Sequence, residues 1–250
     1  MNILITNDDG IAAPGLNALY DEINKVYSVE VVAPESEQSA VGHAITIFNP
    51  LRVKKFFREG SFFGYAVNGT PADCVKIAVK SIMKNPPKLV ISGINLGANI
   101  GTNLIYSGTV SAATEAAILD IPSFAISLCT RSDPDFTFSA KYALKMAKLI
   151  LEKGLPKRCA INVNIPAVPT DEIAGAIIVK QGKSRVMEKF DKRTDPSGNI
   201  YYWMAGKMIT DETDLDADDG AIGKNMVSIT PIHYDMTDYK TLGIMHEWKI

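Results

Sequence analysis

Two adjacent carboxylates, Asp8 and Asp9, end the first apolar run of the chain, Asn2-Ile3-Leu4-Ile5-Thr6, within the sequence Asn7-Asp8-Asp9-Gly10. Neighbouring anions repel, whereas a divalent cation turns the repulsion into attraction and demands hard oxygen ligands. Asp-Asp-Gly is equally a turn sequence, because Asp bonds its own backbone and Gly accepts positive φ. Taken alone, the pair reads as a turn or as a metal site, and the choice depends on what the rest of the chain brings beside it.

Three other polar segments follow apolar runs or precede a helix. Pro34 to His43 (PESEQSAVGH) follows Val31-Val32-Ala33 and is rich in hydroxyl and amide groups. Ser92 to Gly101 (SGINLGANIG) follows Leu89-Val90-Ile91, and its glycines at 93, 97 and 101 demand tight turns or a close approach. Tyr106-Ser107-Gly108-Thr109 precedes a helical pattern. Its unsatisfied N–H groups and the positive end of the dipole suit a phosphate, and the same residues are good helix-capping chemistry. No Lys follows these glycines in a Walker pattern. Brought to one edge, the four segments describe one hard metal held by Asp8 and Asp9, completed by neutral oxygens, with a phosphate between that metal and a helix end. Phosphomonoester hydrolysis is the simplest reaction such a site serves.

Other chemistry-bearing residues fit less well. His43, His233 and His246 stand in no His-x-x-x-His or Cys-x-x-Cys spacing, so zinc is not indicated. They read as surface or packing histidines, with His43 near the second segment a candidate acid or orienting group. The acidic stretch Asp211 to Gly220 fails as a calcium loop: counting from Asp214, Asp219 occupies the glycine position and Asn225 the glutamate position. It reads as a solvated turn. Cys74, Cys129 and Cys159 are far apart in apolar surroundings, as reduced cysteines are.

The elements that must position these segments alternate. Strand-like runs at Ile3 to Thr6, Val29 to Ala33, Leu89 to Ser92, Ser123 to Ser127 and Ala160 to Asn164 are separated by helical patterns at Gly15 to Val26, Pro71 to Met83, Thr109 to Leu119 and Phe138 to Lys153. Successive βαβ units of this kind make a Rossmann-like α/β fold with a mainly parallel sheet flanked by helices, whose post-strand loops converge on one edge. Thr70, Pro71 and Asp73 form a capping-box variant at the second helix. Residues 44–67 contain Ile45-Thr46-Ile47, Leu51 to Phe57 and Phe62 to Val67 with no helix between them, an antiparallel β excursion. This divides the chain into a catalytic core over 1–165 and a β-rich extension over 166–250. The extension has no long amphipathic helix and too little core of its own, so it packs on the first part and on a second subunit.

Composition bounds the partners. The chain has 250 residues, 46% apolar and 22% charged, with net charge −2. That composition supports a full globular core, and dispersed basic residues argue against a nucleic-acid polymer as the main partner. No secretory signal or membrane-length apolar run is evident, so the expected location is cytoplasmic.

At this point the chain resembles the survival protein SurE family of metal-dependent 5'/3'-nucleotidases. The likeness is carried in order by Ile3 to Gly15 (ILITNDDGIAAPG), Val32 to His43 (VAPESEQSAVGH), Asn68 to Cys74 (NGTPADC), Ser92 to Gly101 (SGINLGANIG), Tyr106 to Val110 (YSGTV), Ile121 to Leu128 and Val227 to Thr237 (VSITPIHYDMT). The resemblance implies Asp8, Asp9, Ser39 and Asn95 as ligands of one magnesium or manganese ion per subunit. It implies that Asn95, Ser107, Gly108 and Thr109 hold the phosphate, that Asp8, Asp9 and Asn95 form the catalytic set, and that the substrates are nucleoside 5'- and 3'-monophosphates. It further implies a cytoplasmic homodimer or homotetramer with exchanged C-terminal segments. The chain departs from the family pattern at Ser36, where Arg is common, and at Ser111, where Gly is usual after Ser-Gly-Thr-Val. Either water attacks phosphorus with a carboxylate as base or Asp8 attacks directly; the sequence leaves both open. A generic or polyphosphate phosphatase on the same site is the alternative. A signalling receiver is remote, because it needs a phosphoacceptor Asp after its third strand, where Leu51 to Phe57 offers only basic and apolar residues. A haloacid dehalogenase type phosphatase needs Asp-x-Asp, and here the carboxylates are adjacent.

Overall fold

The computed structural model describes residues 2–130, 132–210 and 214–248. In chain order its strands are β1 (Asn2–Thr6), β2 (Ser28–Pro34), β3 (Val53–Arg58), β4 (Ser61–Val67), β5 (Leu89–Leu96), β6 (Ser123–Leu128), β7 (Cys159–Ile165), β8 (Gly175–Ile178), β9 (Arg185–Thr194), β10 (Ile200–Ile209) and β11 (Met226–His233). Its α-helices are α1 (Pro14–Ile23), α2 (Pro71–Ile77), α3 (Gly108–Ile118), α4 (Thr137–Lys153), α5 (Asp218–Gly223) and α6 (Tyr239–Met245). Nine strands form one sheet in the order β3-β4-β2-β1-β5-β6-β7-β11-β8, and β9 pairs with β10 in a separate antiparallel ladder. From β4 through β7 every pairing is parallel; β3 on β4 and β11 on β7 are antiparallel. This is the expected mainly parallel α/β sheet.

Strand β1 explains why the first segment reads as an uninterrupted apolar run. Ile3 and Ile5 pack into the core formed with α1 and α4, while Leu4 between them packs into the opposite core with α2 and α3. A strand covered on both faces has no polar side to alternate with. All three side chains are fully buried, each contributing about 2 kcal/mol of transfer free energy. The same layering presses helix onto sheet: a Cβ on Gly15 would lie 2.1 Å from the Ile94 carbonyl oxygen, so only glycine lets α1 sit this close to β5.

The capping box at α2 is formed. The Thr70 hydroxyl accepts from the Asp73 amide at 3.1 Å, and the Asp73 carboxylate accepts from the Thr70 amide at 3.0 Å. Asp73 also accounts for a departure from expectation. Ile45-Thr46-Ile47 is irregular coil, because the Thr46 amide and hydroxyl donate to Asp73, at 3.0 and 2.6 Å, instead of joining a ladder. The antiparallel excursion is therefore the hairpin β3–β4, and it enters the main sheet through parallel pairing of β4 with β2.

The acidic stretch from Asp211 to Gly220 corrects a second expectation. Asp211 to Thr213 lie outside the described residues, but Asp218 and Asp219 are buried rather than solvated. Asp218 accepts the amides of Gly101 (3.1 Å) and Gly182 (2.9 Å), and Asp219 accepts the amide and hydroxyl of Ser184. Backbone donors withdrawn from water need acceptors, and these carboxylates supply them. No helix among the described residues is long and apolar enough to cross a membrane.

Candidate active site

All four chemistry-bearing segments lie at the carboxyl ends of β1, β2 and β5 and at the amino end of α3. The first segment is indeed a turn, closed by Asn7, whose side-chain amide donates to the Gly10 carbonyl at 2.9 Å. Asp8 is used differently. Its Oδ2 accepts the Thr109 amide at 3.0 Å and its Oδ1 accepts the Thr109 hydroxyl, so a buried carboxylate sits on the first turn of α3. Helix N-termini stabilise such a charge. Gly108 makes the approach possible, since a Cβ there would fall 2.8 Å from Asp8 Cβ and 3.0 Å from its Oδ2.

Burial raises the pKa of Asp8, and the nearby Glu37 charge adds to it, against the lowering effect of the Thr109 hydrogen bonds. Asp9, less buried, is pushed up to about 6 by desolvation first and then by the Asp8 charge, with the Leu96 amide acting in the opposite direction. Among the described residues no Lys or Arg pairs with either carboxylate. Two crowded carboxylates without a side-chain cation, next to amide and hydroxyl oxygens, have the chemistry a hard divalent ion requires of its ligands. No three His, Cys, Asp or Glu side chains among the described residues form a metal-binding group, so an ion here would rely on that pair and on neutral oxygens.

The proposed neutral ligands stand differently. Asn95 is at the end of β5, beside Leu96, and its side-chain amide donates to the Gly97 carbonyl at 2.8 Å, which leaves its oxygen available. Ser39 is exposed on the second loop and donates to Glu37 at 2.5 Å rather than to the Asp8–Asp9 pair. The loop itself is fixed on the first segment, for the Gln38 amide donates to the Asp8 carbonyl at 2.7 Å.

The fourth segment is a helix cap. Ser107 caps α3, its hydroxyl accepting the Val110 amide at 3.1 Å. With the Thr109 amide bonded to Asp8, the Gly108 amide is the first-turn donor left without a protein partner among the described residues. Ser111, at a departure from the family pattern, returns its hydroxyl to the Gly108 carbonyl at 2.7 Å and so disturbs nothing in the turn. A cavity of about 500 Å³ is lined by Ser107 and, among others, by Ser111, His43, His233 and Tyr234.

The third segment has positive φ at Gly93 (140°), Gly97 (117°) and Gly101 (55°), as its glycine spacing demands. A buried amide network holds it. The Asn99 amide donates to Asn164 Oδ1 at 2.8 Å, its side chain donates to Ser127 at 2.9 Å, and its carbonyl accepts from Asn162 and Asn164. Sequence reasoning did not single out Asn99, Glu37, or the pair Lys76 and Glu115. Glu37 and Asn99 lie within quoted motifs, but a side chain's partner across the sheet leaves no local trace. His43 pairs with Glu115, Nε2 to Oε2 2.8 Å, and so has a packing partner.

Comparison with known proteins places the chain in a family. The family model described as survival protein SurE matches residues 3–188. The chain is 52% identical over 243 residues to a protein of Syntrophus aciditrophicus named 5'-nucleotidase SurE, covering 97% of this chain and 91% of that one. It is 46% identical to the protein of that name from Syntrophobacter fumaroxidans, with both chains covered in full. The crystal structure of SurE protein from Aquifex aeolicus matches with a TM-score of 0.84 at 38% identity, over 98% of this chain and 99% of that one. The chain belongs to the survival protein SurE family.

Proposed function

We propose that this protein is a divalent-metal-dependent phosphomonoesterase that hydrolyses nucleoside 5'- and 3'-monophosphates to nucleoside and phosphate. The observation that carries the reading is the junction of Asp8 with the first turn of α3, which sets a paired carboxylate beside an anion-ready helix end. The relatives' name, 5'-nucleotidase, supports 5'-monoesters as substrates. Asp8, Asp9, Ser39 and Asn95 would hold one magnesium or manganese ion. When bound, that ion supplies positive charge against the phosphoryl oxygens and the leaving group.

The chain's own groups do the rest. Asn95 and the Ser107-Gly108-Thr109 turn orient the phosphate, and the Gly108 amide donates to the oxygen on which charge develops. Thr109 serves this step through Asp8, holding its carboxylate toward the site. The cavity beside Ser107 lies within the size range of small-molecule sites and offers room for the nucleoside. In the same reading the protein is a homodimer or homotetramer whose C-terminal segments pack on a neighbouring subunit.

The test is hydrolysis of 5'-AMP, 3'-AMP, an aryl phosphate and polyphosphate by wild type and Asp8→Asn, with and without a chelator. The expected result is chelator-sensitive release of phosphate from both nucleotides, abolished in Asp8→Asn. Chelator-resistant turnover or a fully active Asp8→Asn overturns the site. Preference for polyphosphate refutes the nucleotide assignment alone.

A further inference from the structure

The second loop is fastened at both ends, and Ser39 lies between the fastenings. At the near end the Gln38 amide donates to the Asp8 carbonyl. At the far end the Gly42 amide donates to the Tyr106 carbonyl at 3.0 Å, directly before the phosphate turn. His43 follows, with Nε2 2.8 Å from Glu115 Oε2 and Nδ1 3.4 Å from the Thr114 hydroxyl. Beyond it the Thr70 hydroxyl donates to the Ala44 carbonyl at 2.7 Å, and Asp73 holds Thr46.

Glu115 is the centre of this anchorage. Its side chain, on α3, is only 1% exposed, and its second oxygen accepts from Lys76 Nζ of α2 at 2.5 Å. Burial pushes its pKa up, but the hydrogen bonds and charges of His43 and Lys76 outweigh that and hold the carboxyl below its ordinary value. An ionised Glu115 has no proton to give, so His43 Nε2 is the donor in this pair. With its ring nitrogens turned to Glu115 and Thr114, His43 faces α3 rather than the reacting atoms. Between the fastenings the backbone turns through the left-handed region at Ala40 (φ 55°) and Gly42 (φ 58°). A non-glycine residue keeps such a conformation only where its surroundings impose it.

We infer that His43 is a positioning residue: through Glu115 and Lys76 it locks the far end of the second loop to α2 and α3, and so restricts where Ser39, between the two fastenings, can lie relative to Asp8 and Asp9. This rests on the reading of Ser39 as a metal ligand given above. The consequence is that one helix, α3, fixes both halves of the site, carrying the phosphate turn at its first residues and the loop anchor two turns later. A metal ligand released from its outer support loses affinity before it loses chemistry, because added metal restores occupancy.

The experiment measures Mn²⁺ binding to metal-free protein by the electron paramagnetic resonance signal of free Mn²⁺, alongside kcat and KM for 5'-AMP at rising Mn²⁺. The variants are His43→Ala, His43→Asn, too short to reach Glu115, and His43→Gln, which retains an N–H donor. His43→Ala and His43→Asn are expected to weaken Mn²⁺ binding by about tenfold, with His43→Gln restoring most of the affinity. Unchanged Mn²⁺ affinity in His43→Ala or His43→Asn, whatever the fall in Tm, overturns the proposal, as does a His43→Gln no better than His43→Ala. A wild type that binds no Mn²⁺ refutes instead the metal reading beneath it.

Discussion

Asp8 and Thr109 are 101 positions apart in the chain, and both oxygens of the Asp8 carboxylate are held by Thr109, one by its amide and one by its hydroxyl. The hydroxyl bond is the one a side-chain substitution can remove. Thr109→Val leaves a buried carboxylate oxygen without its donor, at about 1–3 kcal/mol, and frees the carboxylate to rotate. Thermal denaturation is expected to show a lower Tm for Thr109→Val, and kcat/KM on 5'-AMP a fall of roughly tenfold or more. Thr109→Ser, which keeps the donor, stays near wild type. Wild-type kinetics in Thr109→Val would show that the clamp does no more than cap the carboxylate.

Gly108→Ala tests the same junction sterically. The added Cβ would meet Asp8 Cβ at 2.8 Å, Asp8 Oδ2 at 3.0 Å and Pro71 Cγ at 3.1 Å. Asp8 cannot swing away without surrendering Thr109, so the substitution displaces the carboxylate rather than a flexible side-chain end. Alanine is otherwise at home in a first helical turn. The expected outcome is loss of activity by about 100-fold with a folded protein of near-native circular dichroism. An active Gly108→Ala would mean that the site tolerates a retreat of α3 from β1.

What was legible in the sequence is what physics confines to neighbouring residues. Asp8-Asp9 after an apolar run, the Gly93-Gly97-Gly101 spacing and the Thr70–Asp73 capping box all rest on local periodicity or local backbone geometry, and their elements appear where expected. The failures are long-range. Nothing near Thr46 reveals that Asp73 will take its donors, and nothing near Asp218 reveals that Gly101, 117 positions away, will need its carboxylate. The same holds for the site: Asp8 can be read as a carboxylate at a strand end, but its attachment to Thr109 depends on how α3 is laid over β1.

Asp218 gives a prediction in pH. Burial, with the Asp219 charge adding to it, pushes its carboxyl up from 3.8 to about 6, against the lowering effect of the Gly101 and Gly182 amides. The folded state then binds this proton more tightly than the unfolded state does. Stability linked to Asp218 is therefore highest at low pH and declines as pH rises from about 4 through about 6, beyond which it is constant. Asp218→Asn removes that titration. The Tm difference, wild type minus Asp218→Asn, is expected to shrink between pH 4.5 and pH 7 in metal-free buffer. A difference that is flat or grows over this window would show that the buried carboxylate is ionised throughout.

The separate ladder and the C-terminal helix carry the last prediction, that the protein assembles. Every residue of β10 is exposed, and Trp203 and Met204 retain 59% and 66% of their surface. Helix α6 buries none of its residues, and Met236 before it is 85% exposed. A two-stranded ladder alone is marginal in water, and an apolar band of this extent marks an interface. Light scattering on the wild type is expected to give a dimer or tetramer. The double substitution Trp203→Asp with Met204→Lys, or removal of residues 235–250, is expected to lower the assembly by at least one step. In both cases the near-ultraviolet circular dichroism of the core is expected to persist, because neither segment contributes to the two main cores around β1. A monomeric wild type refutes the proposed subunit packing. An assembly unchanged by either alteration means that another surface holds it, the first place to look being the exposed Phe57 and Phe62 of the β3–β4 edge.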